Sequence, residues 1–343
     1  NIMWGLPLLL LCGGFGVYAT VRSGFFQFRM LPKILKYPFS KEANGGDDAQ
    51  LSSFEAVSIA IGGSVGVSNI SGVGTAIATG GPGALFWMWI TAIIGGASAY
   101  VESTLAQIYK KRDLDGTSYG GPAYYMANAL GQRWLGVIFS VIIILTYAVG
   151  YNMLAAYNLQ STFKAFAWYG NATPIIIGAI LAVLFGIIVI GGAKRLTKVT
   201  EVMVPVMGVL YVIVAIIVLV LNAKQIPAMF NMIFESAFDF KAIFGGFAGS
   251  CIMNGIKRGL YSNEAGMGSA PNAAAKADVS HPAKQGLVQM LSVFLDTLLI
   301  CTATGFMVLS SGIGVTDAMK ENASLYVQGA LGESLGAFGP IFI

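Results

Sequence analysis

Residues Gly62-Gly63-Ser64-Val65-Gly66-Val67-Ser68-Asn69-Ile70-Ser71-Gly72-Val73-Gly74 gather five glycines, three serines and an asparagine inside an otherwise apolar run. Each glycine costs a helix about 1 kcal/mol relative to alanine, so regular winding is poorly supported there. Where winding lapses, the first half-helix ends in free C=O groups and the second begins with free N–H groups, and these carry opposite partial charges. The N–H end suits a carboxylate and the C=O end a cation or an ammonium, a pairing that fits a zwitterion taken up with a metal ion. Gly62 and Gly66 also form a small-xxx-small pair that lets two helices approach. Packing explains the glycines but leaves Asn69 at membrane depth unexplained. A phosphate-binding glycine loop would need a preceding strand, and none is present.

A second glycine-rich stretch, Gly245-Gly246-Phe247-Ala248-Gly249-Ser250, also lies near the middle of an apolar run. Phe244, Phe247 and Met253 would supply an apolar wall that admits only a small side chain, with Gly249 and Ser250 at the break. Packing through Gly245 and Gly249 is the competing reading. Candidate ligands to the substrate are therefore Gly66, Ser68, Asn69, Ile70, Ser71, Gly72, Phe244, Phe247, Gly249, Ser250 and Met253. For a sodium ion they are Gly62, Val65, Asn69, Asp296 and Thr297. A carboxylate at bilayer depth costs at least about 2.5 kcal/mol, so Asp296 is either an ion ligand or a structural hydrogen-bond acceptor. Glu264 and Arg258 are candidates for an inner gate, and Glu55 and Glu102, near the cytoplasmic ends of their spans, for gate or interface positions. His281, the only histidine, precedes Pro282 in a polar loop, where it is solvated and forms no buried proton relay. Cys12, Cys251 and Cys301 sit in apolar runs without metal-ligand spacing and read as small packing residues.

These residues need elements to position them. In 343 residues, hydrophobic types make up 56% and charged types 10%, against about 25% charged in soluble domains. Such a chain is an all-α polytopic membrane protein. About 20 apolar residues cross a bilayer as a helix, which predicts eight spans, near 3–22, 53–79, 84–109, 134–163, 174–193, 199–222, 242–260 and 285–311, with a ninth beginning near 330. The first reads as a true span, because it lacks a basic n-region and a cleavage site. Both ends look like cuts in a longer chain. Of the 20 Lys and Arg, sixteen fall in one alternate set of loops and four (Lys164, Lys224, Lys241, Lys320) in the other. The positive-inside rule then places residue 1 outside and the start of the second helix inside. Trp87 and Trp89 fall where an aromatic belt is expected. The loop 261–284 is rich in Ala and fits a short surface helix.

Two interrupted spans separated by four whole ones are what an inverted repeat of five helices produces, with the second and seventh helices running in opposite directions. The expected organisation is an extra helix and basic loop over 1–52, a first five-helix repeat over 53–222 and a partial second repeat over 223–343.

Three stretches then resemble the alanine or glycine:cation symporter family: Gly80-Gly81-Pro82-Gly83-Ala84-Leu85-Phe86-Trp87-Met88-Trp89; Lys257-Arg258-Gly259-Leu260-Tyr261-Ser262-Asn263-Glu264-Ala265-Gly266-Met267-Gly268-Ser269-Ala270-Pro271; and His281-Pro282-Ala283-Lys284-Gln285-Gly286-Leu287 with Phe294-Leu295-Asp296-Thr297. The resemblance covers about 53 to 312. It implies a leucine-transporter-like 5+5 fold, truncated at the C-terminus, that carries alanine or glycine inward with sodium by alternating access. The helices that complete its usual second sodium site would follow Ile343. The chain departs from the family pattern at Val67, Ser68 and Ser71, where the family has Thr, Gly and Ala, and at Ala155, where it commonly has Gln.

The functional reading is sodium-coupled symport of a small neutral amino acid across the plasma (inner) membrane. The alternatives are proton coupling and a passive channel. The expected partners are the amino acid, the sodium ion and the bilayer, with no cofactor, no nucleic acid and no obligatory protein partner. An intramembrane enzyme finds no Ser/His or paired-aspartate constellation within the spans.

Overall fold

The computed structural model describes residues 4–36, 53–114, 116–246 and 250–343. The predicted all-α class holds, and among the described residues five helices are long and apolar enough to cross a membrane: Ala84–Ile108, Arg133–Ala165, Thr173–Ile190, Arg195–Leu221 and Pro282–Ser310. Leu6–Arg22 is a shorter apolar helix. The two remaining predicted spans, 53–79 and 242–260, are the ones whose winding is broken. Side chains such as Ile175, Val183 and Ile142 on the long spans are exposed, over far more apolar surface than a water-soluble fold presents.

The chain forms two compact units, each discontinuous in sequence. One comprises Asn1–Ser64, Ile90–Val149 and Asn263–Asp296; the other comprises Val65–Trp89, Gly150–Ser262 and Thr297–Ile343. Three of the passages between them fall where α-helical winding relaxes. These are the end of helix Ser53–Ser64 and the stretches Leu145–Tyr151 and Leu295–Cys301, which widen to i→i+5 bonding. Wide turns of this kind concentrate at functional sites.

Within the first unit, helix Pro282–Phe294 packs closely against the middle of Ala84–Ile108. A Cβ added at Gly286 would lie 2.4 Å from Thr104 Oγ1, and one at Gly96 would lie 2.9 Å from the Phe294 ring. Met290 and Leu291 join Ile34 in one buried cluster, and Val293 joins Ala92 and Ala99 in another. Within the second unit, Val73, Ile77, Leu85, Met307, Val327 and Leu331 belong to a single core. Gly305 accepts the Leu85 side chain where a Cβ would sit 2.6 Å from it.

Several elements differ from the sequence reading. Helix Ile226–Ala237 occupies a predicted loop. It is amphipathic and buries Met229, Ile233 and Ala237 on one stripe. Helix Pro122–Ala129 and the strand pair Lys111–Arg112 with Ser118–Tyr119 also lie in a predicted loop. The ninth helix starts earlier than expected, at Ala323, and stops at Leu335, because Gly336 turns the chain at φ 60°. The short helix in the 261–284 loop is Ala270–Ala274, but it is no surface helix, since Pro271 and Ala274 are buried. The half-buried Trp87 and Trp89 have partners that their sequence did not indicate: their indole N–H groups donate to Ala237 O at 3.1 Å and Thr302 Oγ1 at 2.8 Å.

Candidate functional site

The first interruption forms as its composition predicts. Helix Ser53–Ser64 ends, Val65 and Gly66 leave helical winding, Ser68–Gly72 makes a wide turn, and Val73–Gly80 resumes the α-helix. Nothing lies within 4 Å of where a Cβ at Gly66 would stand, so the lapse is not imposed by a neighbouring side chain pressing on that glycine.

Asn69 takes over the bonds that regular winding would have made. Its Oδ1 accepts from Gly66 N–H at 2.8 Å and from Ser68 Oγ at 3.4 Å. Its Nδ2 donates to Ser262 Oγ at 3.1 Å and to Cys301 Sγ at 3.3 Å, and Ser262 and Cys301 are themselves 3.1 Å apart. All three side chains are buried. A carboxamide has two acceptor and two donor positions, and here all are occupied. Asn69 thus ties the break to helix Cys251–Asn263 and to the wide turn Leu295–Cys301. Cys301 is more than packing: its thiol takes part in this knot.

The part of the first interrupted span that follows the lapse and the second half-helix of the other lie side by side within the second unit. A Cβ at Gly80 would be 2.7 Å from Asn254 Cβ, and one at Gly72 would be 3.8 Å from Tyr261, while Asn69 reaches Ser262. As the first number falls from 80 to 69, the second rises from 254 to 262, so the segments run antiparallel. Thr79 Oγ1 donates to Asn254 Oδ1 at 3.3 Å, adding to the same seam.

The other predicted substrate residues are placed unevenly. Val65 and Ile70 pack against the core of the second unit, and Ser71 O accepts from Thr75 Oγ1 at 2.7 Å. The second span winds over Phe240–Gly245 and again over Cys251–Asn263; Phe247 and Gly249 lie outside the described residues. Ser250 is buried and its Oγ accepts from Met253 N–H at 3.3 Å, which starts the second half-helix, and Met253 is buried. Phe244 is 78% exposed and stacks on Phe240, so in this conformation it walls nothing.

Of the proposed sodium ligands, Gly62 is exposed on Ser53–Ser64, Val65 stands at the lapse, and Asp296 and Thr297 are fully buried on the wide turn Leu295–Cys301. Among the described residues no group of three or more His, Cys, Asp or Glu could hold a metal. A hard monovalent ion would depend instead on carbonyl and hydroxyl oxygens of the kind these turns present.

Glu264 sits just past helix Cys251–Asn263 in left-handed backbone at φ 53°. It is buried, and its Oε2 accepts from Tyr147 Oη at 2.7 Å and from Ser269 Oγ. Burial pushes its carboxyl up to about 7; the bonds from Ser269 and Tyr147 oppose that shift and the charge of Asp296 adds to it. Beside it, Gly266 N–H donates to Glu102 Oε1 at 3.1 Å, so Glu102 is buried inside the fold and does not face an interface. Arg258 is partly buried on helix Cys251–Asn263. Sequence reasoning missed Tyr147, Ser262 and Cys301. Ser262 lay in a signature stretch without any sign of its partner, and Tyr147 and Cys301 were hidden in apolar runs. His281 caps helix Pro282–Phe294, accepting from Ala283 N–H at 3.2 Å, and is exposed as expected.

The profile of the sodium:alanine symporter family matches residues 1–343. The chain is 43% identical over 344 residues to a probable sodium/glutamine symporter, GlnT, of Bacillus subtilis, covering 100% of this chain and 70% of that protein. It is 41% identical to the putative sodium/proton-dependent alanine carrier YrbD of the same organism, covering 100% and 72%. It is 40% identical to the sodium/alanine symporter AgcS of Methanococcus maripaludis, covering 92% and 71%.

Proposed function

The chain belongs to the sodium:alanine symporter family, and from that premise we propose that it carries a small neutral amino acid, alanine or glycine, into the cytoplasm with sodium by alternating access. It is a multi-pass membrane transporter and not an enzyme. The observation that carries the reading is the pair of interrupted, antiparallel spans held together through Asn69. The amino-acid carboxylate faces the N–H groups that follow the lapse at Val65–Gly66, and sodium shares the carbonyl groups that precede it. Asn69 holds this backbone open, which makes it a positioning residue in the conformation described here and a ligand when its bonds exchange. The two breaks are the opening members of inverted repeats over 53–222 and 223–343. The N-terminal residue faces outside, and Glu264 and Arg258 act on the cytoplasmic side.

A second reading, coupling to protons, is favoured by Glu264, whose carboxyl is buried among hydroxyls and poised near neutrality. The relative YrbD, named as sodium/proton-dependent, fits it equally. Purified protein in proteoliposomes separates the two. Accumulation of labelled alanine should require an inward sodium gradient and persist when the proton gradient is collapsed. Uptake indifferent to sodium overturns the sodium reading, and uptake that follows the proton gradient alone establishes the second. Uptake that never exceeds equilibration belongs to a channel.

A further inference from the structure

A cleft of about 580 Å³ lies within the first unit, bordered by Lys111, by helix Pro122–Ala129 and by helix Arg133–Ile144. Its floor is tight, because a Cβ at Gly136 would sit 2.5 Å from Ala123 O, so the two helices diverge from that contact. Its rim carries two cations. Lys111 Nζ stands 5.9 Å from the centroid of the Tyr124 ring, and Arg133 begins the long span Arg133–Ala165. The neighbouring cations are engaged: Arg112 pairs with Asp278 at 3.6 Å, and Lys110 Nζ donates to Ala277 O at 2.9 Å. Among the described residues no carboxylate lines the cleft. Below the cations, Val137, Val141 and Ile144 form one helical stripe over about 10 Å of rise, and all three are exposed.

We propose that this cleft binds an anionic phospholipid, with the headgroup phosphate between Lys111 and Arg133 and the glycerol and upper acyl chain along Val137, Val141 and Ile144. Three features select that occupant. The cations stand at the end of an apolar span, which is the depth of lipid phosphates. Two positive charges, with no carboxylate among the described lining residues, disfavour a headgroup that carries its own ammonium. The apolar stripe would have no role if the ligand were free phosphate, which has no hydrocarbon to lay along it.

The test uses the full chain, purified in mild detergent and supplied with equal phosphatidylglycerol and phosphatidylcholine, with retained lipid read by native mass spectrometry. Phosphatidylglycerol should be retained roughly tenfold over phosphatidylcholine. Lys111→Gln with Arg133→Gln should bring the ratio near one, whereas Lys111→Arg with Arg133→Lys should keep the preference. Ser140→Asp, which places a carboxylate in the cleft and spares both cations, should also abolish it and serves as the test if the glutamine pair fails to insert. Equal retention by the unaltered protein overturns the proposal, as does a preference that survives the glutamine pair or Ser140→Asp. Displacement of the lipid by millimolar inorganic phosphate would show a plain anion site and overturn it as well.

Discussion

Asn69 and Glu264 are both buried polar side chains at places where helical winding stops, yet their partners differ in kind. Asn69 is neutral and meets two donors and two acceptors, so its knot is complete without any charge. Glu264 meets the hydroxyls of Tyr147 and Ser269 and lies near another acid, Asp296, so its ionised form is under-compensated. A saturated neutral knot fixes geometry and ignores pH. A buried carboxyl among hydroxyls responds to pH, because burial penalises one of its two protonation states.

The largest effect should come from removing the neutral knot. Asn69→Leu takes the acceptor from the half-buried Gly66 N–H and the amide donor from Ser262 and Cys301, which keep each other, at a cost of about 1–3 kcal/mol for each hydrogen bond left unmade at a buried group. Sodium-driven alanine uptake should fall to background while the protein still inserts and elutes as a folded peak. Undiminished uptake would remove Asn69 from the site and break the comparison at its first member.

Next comes the acid. The folded value of Glu264, about 7, lies above its ordinary 4.5, so the folded state binds more protons between those values and stability declines as pH rises through that window. The stabilisation from holding the neutral form is fully present below about pH 4.5 and is gone above about 7. Glu264→Gln keeps a neutral isostere, so its thermal midpoint in detergent should vary less over pH 5 to 8 and exceed that of the unaltered protein at pH 8. Identical pH profiles for the two proteins would show that Glu264 does not titrate in this range. The same series on Asn69→Leu should run parallel to the unaltered protein, which sharpens the contrast.

A smaller effect tests the thiol. Cys301→Ser preserves a donor and acceptor at the same place and should keep most of the uptake. Cys301→Ala removes one of the two acceptors of Asn69 Nδ2, leaving Ser262 Oγ, and should lower stability by about 1 kcal/mol. Equal behaviour of the two variants would reduce Cys301 to packing.

Much of this arrangement was legible in the sequence, for a physical reason: a bilayer demands some 20 apolar residues per crossing, and it makes polar or glycine-rich interruptions conspicuous. The lapse at Val65–Gly66 and the end of winding at Gly245 were both visible in this way. So was the opposite direction of the two spans, which the distribution of Lys and Arg supplied and the antiparallel seam from Gly80–Asn254 to Asn69–Ser262 matches. Partners across the fold were not legible, because nothing local marks Ser262 or Cys301 as the companions of Asn69. Nor was helix Ile226–Ala237, whose narrow apolar stripe is too short for the span rule. The partner of the Trp87 indole was likewise hidden, since nothing local marks Ala237 O as the acceptor of its N–H.

The smallest effect asks whether the first lapse is held open or merely unsupported. Gly66 has open space around it, so alanine fits without a clash, and replacing glycine by alanine favours helical winding by about 1 kcal/mol. If the knot around Asn69 holds the break, Gly66→Ala should raise the thermal midpoint by no more than a few degrees and leave the sodium dependence of uptake in place, because the Gly66 N–H bond to Asn69 Oδ1 does not need the missing side chain. If composition alone keeps the segment unwound, the same change should rewind it and reduce uptake severely. Pairing Gly66→Ala with Cys301→Ala in a double-mutant cycle decides between these. Coupling well above about 0.5 kcal/mol would place the backbone lapse and the distant thiol in one cooperative unit, whereas additive effects would mean that Asn69 reports the break without enforcing it.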